Sequence, residues 1–182
     1  MANAISARNA STLWIVLLTG ASTATTLALA CATPFPALAA LAAVHMRQRD
    51  GVALMLLAWL ASQVVGFTML HYPHDPRTFA WGAALATAAV ASALGACATL
   101  RTVARAPVLV RLAVAYAAAF LAFKAAVLVW SFFLGGVATT FNPGILLNQL
   151  LRNGAILVGL YLLYRVLVAL GVPAPQRGAA VA

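Results

Sequence analysis

The residues best equipped for chemistry lie together in His71-Tyr72-Pro73-His74-Asp75-Pro76-Arg77, which runs on through Thr78-Phe79-Ala80-Trp81-Gly82. The chain has three histidines and two acidic residues, and two of those histidines and one of those acids fall between positions 71 and 75. Imidazole and carboxylate together suit a transition metal such as cobalt, nickel, copper or zinc, free or held in a complex. The same residues also suit a water-facing loop at a membrane boundary, with Tyr72 and Trp81 as interfacial aromatics. Residue types alone leave both readings open. The second set of chemical groups is cationic and lies inside apolar runs: Arg111, Lys124 and Arg152. A charge at membrane depth is costly and marks a functional site by default. Arg111 and Arg165 stand close enough to the ends of their runs to snorkel. Lys124 lies deeper, where an anionic ligand group is a natural partner.

The elements that must position these groups are helices in a membrane. The chain has 182 residues, of which 65% are hydrophobic and 7% charged; soluble domains carry roughly 25% charged residues. Only helices or closed barrels satisfy their backbone in lipid. The apolar runs are continuous and rich in Ala and Leu, without the two-residue alternation of a barrel strand. Net charge is +9, but the basic residues are scattered singly with no basic face, which excludes a nucleic-acid partner. Cys31 and Cys97 form no CxxC pair and sit in apolar context, as small buried residues do. Arg8 and the run 13–30 superficially suggest a signal peptide. The run exceeds the ~7–15 residues of a signal core, so a retained span is expected.

Six spans are expected, at about 13–32, 37–46, 52–70, 78–100, 108–134 and within 145–172. Residues 1–172 then form one transmembrane domain, and 173–182 a disordered cytoplasmic tail. Gly20, Ala24 and Ala28 recur every four residues on the first span, which permits close approach of another helix, from this chain or from a partner. Thr33-Pro34-Phe35-Pro36 breaks the chain. The second span is about half the length that crosses ~30 Å of hydrocarbon; it either begins near Thr33 or is shielded by neighbours. Residues 47–51 read as a polar turn. Gln63 sits within the third span, and a buried amide needs a partner, so it is expected to face the bundle interior or a pocket. Asp75 or Thr78 is placed to cap the fourth span. Gly135-Gly136 opens a neutral loop to Gly144, and Arg152-Asn153 mark the expected join between a short interfacial helix and the last span. Six spans put Arg8, Arg47, Arg49, Arg101, Arg105 and Arg177 on one side and Arg77 on the other. Positive loops stay in the cytoplasm, so both termini are expected inside and the histidine loop outside.

Several enzyme classes lack their parts. There is no acidic pair for intramembrane proteolysis or glycosyl chemistry, no HExxH, and no phosphate-cradling glycine loop ending in Lys-Ser or Lys-Thr. Any ATP-driven step would need a partner.

Gln63-x-x-Gly66-Phe67-x-x-Leu70-x-Tyr72-Pro73, followed by Thr78-x-x-Trp81-Gly82, resembles the BtuM-like vitamin B12 (cobalamin) transporters of Gram-negative bacteria, which are S components of the energy-coupling-factor type. The resemblance covers about residues 50–100. It implies a six-transmembrane-helix bundle in the bacterial inner membrane with a substrate pocket opening outward. It also implies docking of Gly20, Ala24 and Ala28 on an energy-coupling transmembrane subunit that works with ATPases. The family is associated with a cysteine that reaches the corrinoid cobalt and promotes loss of its cyano ligand. This chain departs from that pattern, because Ala80 stands in the stretch where a thiol is expected. Cys31 lies near the outer end of the first span and Cys97 near the inner end of the fourth, so Cys31 is the better surviving thiol candidate. Thiol-assisted loss of the cyano ligand is expected only if one of the two reaches the cobalt, and otherwise the protein binds rather than catalyses.

The expectation is therefore an all-α integral membrane protein that binds cobalamin, or a related corrinoid, from outside and mediates its uptake. Candidate binding residues are Gln63, Phe67, His71, Tyr72, His74, Asp75, Arg77, Ala80, Trp81 and Lys124. His71, His74 or Cys31 would approach the metal, Tyr72 and Trp81 would pack on the ring, and a buried cation would meet the nucleotide-loop phosphate. Two other classes fit the same residues: a permease or accessory subunit for free cobalt or nickel, and a ligand-free structural subunit of a membrane complex.

Overall fold

The computed structural model describes residues 2–28 and 34–175. Among them all regular structure is helical: α1 (Ala2–Ala28), α2 (Phe35–His45), α3 (Gln48–Thr68), α4 (Pro76–Thr99), α5 (Val108–Leu134), α6 (Val137–Thr140) and α7 (Pro143–Ala169). Four of these, α3, α4, α5 and α7, are long and apolar enough to cross a membrane. Residues 10–25 of α1 and the whole of α2 form shorter apolar helices. Six apolar helices thus correspond to the six expected spans, and among the described residues four meet both the length and the apolarity of a membrane span.

The short α2 is the centre of the molecule. Every residue from Phe35 to Val44 is buried, and α2 packs against α3, α4, α5 and α7. A helix that is apolar on all sides belongs in a core. Eleven residues rise about 16 Å, too short to span, so shielding by neighbours replaces contact with lipid. Pro34 and Pro36 start the helix where proline costs least. Phe35 meets Phe123 of α5 at 6.1 Å between ring centroids. At the other end, Arg111 of α5 donates from Nη2 to the Val44 carbonyl at 3.4 Å. That oxygen is among the last-turn acceptors that a helix leaves without an internal donor. Arg111 therefore holds the end of α2 rather than reaching away to an interface.

The α4–α5 contact is built from small residues. Ala84, Ala88, Ala89, Ala93 and Ala96 of α4 are buried, as are Ala115 and Ala119 of α5. A Cβ added at Gly95 would lie 2.9 Å from Ala122 Cβ and 3.3 Å from the Ala118 carbonyl, so the glycine permits the approach. The buried Ser92 hydroxyl donates to the Ala119 carbonyl at 3.0 Å.

Three boundaries differ from those expected. α3 begins at Gln48, so most of residues 47–51 is its first turn rather than a polar loop. Asp50 there suits the positive end of the helix. α7 is continuous from Pro143 to Ala169, with no join at Arg152-Asn153. Asn153 stays helical by donating from Nδ2 to the Gln149 carbonyl at 3.0 Å, and Arg152 is exposed. The short helix lies earlier, as α6, within the loop expected at 135–144. Asn142 then starts α7 by accepting from the Gly144 and Ile145 N–H groups. Past the end of the last helix, the Pro173 carbonyl accepts from Trp14 Nε1 at 2.9 Å.

Candidate functional site

The histidine loop joins α3 to α4 and is folded around Phe67. Gly66 makes this possible. The Tyr72 N–H donates to the Gly66 carbonyl at 3.1 Å, and a Cβ at Gly66 would lie 2.5 Å from the Tyr72 ring. Phe67 then meets three rings: Tyr72 edge-on at 6.0 Å, His74 at 5.2 Å and Phe79 stacked at 5.2 Å. His71 has φ 54°, a left-handed conformation uncommon for residues other than glycine. It is exposed, as is His74.

Asp75 is the N-cap of α4. Its Oδ1 accepts from the Thr78 N–H and its Oδ2 from the Thr78 hydroxyl, both at 2.9 Å. These bonds, the backbone one first, hold the carboxyl below its usual range. Arg77 reaches across to α5 and donates from Nη2 to the Leu134 carbonyl at 2.8 Å. Gly135, at φ 81°, sits beside that guanidinium, and Gly136 sits beside Trp81. The 71–82 segment and the loop after α5 therefore meet at one end of the bundle. Beneath them, Trp59 donates from Nε1 to the Gly82 carbonyl at 2.8 Å. Gln63 Oε1 lies 3.0 Å from where a Gly82 Cβ would stand, and its Nε2 makes a long contact, 3.5 Å, with Ser62 Oγ.

The structure thus brings Gln63, Phe67, His71, Tyr72, His74, Asp75, Arg77, Ala80 and Trp81 to one end. Lys124 is apart from them: it lies on α5 about 15 Å below Leu134, counting ~1.5 Å per residue. It is half-buried, with Nζ 5.9 Å from the Phe120 ring centroid. Gly20 and Ala24 are exposed on α1. The Ala28 side chain and Cys31 lie outside the described residues. Cys97 is near the end of α4, away from the histidine loop. Among the described residues no group of three or more His, Cys, Asp or Glu side chains converges to hold a metal ion.

The opposite end holds groups that sequence reasoning passed over. His45 packs on Tyr164 at 4.2 Å between centroids, and Trp14 meets the same ring at 5.0 Å. Arg165 donates to the Tyr161 hydroxyl at 3.3 Å. The only sequence signal was the one-turn spacing of Tyr161, Tyr164 and Arg165 on one helix face. Two clefts are also present. One, about 720 Å³, opens at this end between the α2–α3 turn and the end of α4. The other, about 490 Å³ and almost wholly apolar, lies between α1 and α3. Neither is lined by a residue that the sequence put forward for the site.

No family model, no curated protein and no solved structure matches the chain.

Proposed function

We propose that the protein binds a corrinoid at the histidine-loop end and mediates its uptake across the bacterial inner membrane. In this reading that end faces outward and the arginine-bearing loops face the cytoplasm, as the charge asymmetry favours. The observation that carries the reading is the Arg77–Leu134 hydrogen bond. It ties the 71–82 segment to the loop after α5, so two loops frame one mouth, with Phe67, Tyr72, His74 and Phe79 as an aromatic wall.

The chemistry is suited to a large planar ligand with a metal at its centre. Aromatic faces offer stacking area, and Phe79 is 53% exposed, an apolar surface open to cover. His71 has no ring contact within the loop and projects into solvent, so its imidazole is the free ligand for cobalt. His74 is held against Phe67 and Phe79 and would have to turn to coordinate. Asp75 is not a metal ligand in this scheme, because both oxygens are engaged by Thr78. Lys124 is too deep to meet a ligand resting on the loops. It would act only on a corrinoid that descends between the helices during transport. A coupling subunit with ATPases would supply the energy, since this chain carries no phosphate-binding loop.

Thermal unfolding of the purified protein with cobalamin, cobinamide and no ligand tests the reading. Ligand at a hundred times its Kd should stabilise the fold by about 2.7 kcal/mol. No shift with either corrinoid would overturn it.

A further inference from the structure

We propose that the 720 Å³ cleft at the arginine end binds an anionic phosphate group attached to an apolar portion. The source is either the headgroup of an anionic phospholipid or a soluble phosphate compound. The inference does not depend on the corrinoid reading, which concerns the other end of the bundle.

The cleft has two kinds of wall. Arg47, Gln48 and Arg49 form a polar rim, and Val52, Cys97 and Leu100 belong to its less polar side. Its volume falls in the ~300–1,000 Å³ range of small-molecule sites. The rim is also the start of α3. Arg47 is the N-cap, and its side chain makes no capping hydrogen bond. The first N–H groups of a helix have no internal acceptor and, with the helix dipole, attract anions. Two guanidinium groups beside such an end offer the forked donors that phosphate oxygens accept.

The positive charge here is answered by the protein only in part, through Asp50 in the first turn of α3. The chain has two acids, and Asp75 is at the other end. Asp50 lies 3.8 Å from Arg49 Nε, in a pair whose arginine is 73% exposed; such a pair is weak. Arg47 has no acidic partner among the described residues, and Arg101 follows Leu100 to add a further cation at this end. Position supports the assignment. α3 has 21 residues, about 32 Å at ~1.5 Å per residue, which matches the ~30 Å hydrocarbon core. Gln48 therefore lies at the level where lipid phosphates begin, with the apolar wall directed toward the acyl region.

Cys97 in the wall serves as a reporter of occupancy. The full chain is placed in nanodiscs and alkylated with N-ethylmaleimide, and peptide mass spectrometry separates Cys97 from Cys31. In phosphatidylglycerol discs Cys97 should react more slowly than in phosphatidylcholine discs, by about tenfold for a site nine-tenths occupied. Protection in phosphatidylglycerol alone assigns the lipid source. Protection in phosphatidylcholine on adding inorganic phosphate assigns the soluble one. Arg47→Gln/Arg49→Gln should abolish the difference, and Arg105→Gln, away from the cleft, should keep it. Val52→Trp, which fills the cleft with no change of charge, should shield Cys97 in every lipid. Equal rates in all conditions would overturn the proposal. So would a lipid difference that survives in both Arg47→Gln/Arg49→Gln and Val52→Trp, since that reports only surface potential.

Discussion

Asp75 shows how one side chain sets the local frame of the histidine end. Its carboxylate closes the first turn of α4 by accepting two hydrogen bonds from Thr78, and this lowers its pKa from the model-compound value of 3.8. The stabilisation is complete above that value and is lost as pH falls through the lower folded pKa. Melting temperature followed downward from about pH 5 should drop more steeply for the wild type than for Asp75→Asn, which keeps an acceptor but does not titrate. Gly66 makes a second residue-scale point. Alanine there would meet the Tyr72 ring at 2.5 Å, and that ring belongs to a loop that can yield. Gly66→Ala should therefore leave the melting temperature close to wild type while weakening corrinoid affinity in a titration. Arg77→Ala should act the same way, by freeing the loop after α5.

At the scale of elements, the central claim is that α2 is core rather than a lipid-facing span. Leu41 is 1% exposed and Leu121 on α5 is 69% exposed. Leu41→Ala should cost about 2–5 kcal/mol, and Leu121→Ala very little, in reversible unfolding measured in detergent. Gly95→Ala should cost about 1–3 kcal/mol, because the clash falls on the Ala118 backbone and Ala122 rather than on a mobile side chain. Sequence alone showed these elements unevenly. The bounds of α5 were readable because Pro107 and Gly135 punctuate the run. α4 was expected from about Thr78 with Asp75 or Thr78 as its cap, and it opens two residues earlier, at Pro76, with Asp75 as the cap. The role of α2 was readable only as a length too short to span; which helices surround it depends on long-range packing. α7 was misjudged at Arg152-Asn153, since polar residues in an apolar run look like a break, whereas Asn142-Pro143 was the true start. The candidate site was legible as a cluster of residue types. Its key bond was not, because the acceptor is the Leu134 carbonyl, and a backbone oxygen has no signature in sequence.

At the scale of the whole molecule, the two ends of the bundle divide the chemistry. His71, His74 and the rings around Phe67 gather at one, while Arg47, Arg49, Arg101 and Arg105 gather at the other with His45 and its ring partners, and the buried α2 and the α4–α5 contact lie between. In the proposed reading the first end is the mouth that would recognise cargo and the second the boundary that would face the cytoplasm. The visible absorption spectrum of the protein purified from cells grown with cyanocobalamin tests this most directly. A coloured preparation is expected, with corrinoid bands displaced from those of the free vitamin and the displacement altered by His71→Ala. A colourless protein that also leaves the spectrum of added cobalamin unchanged would contradict it.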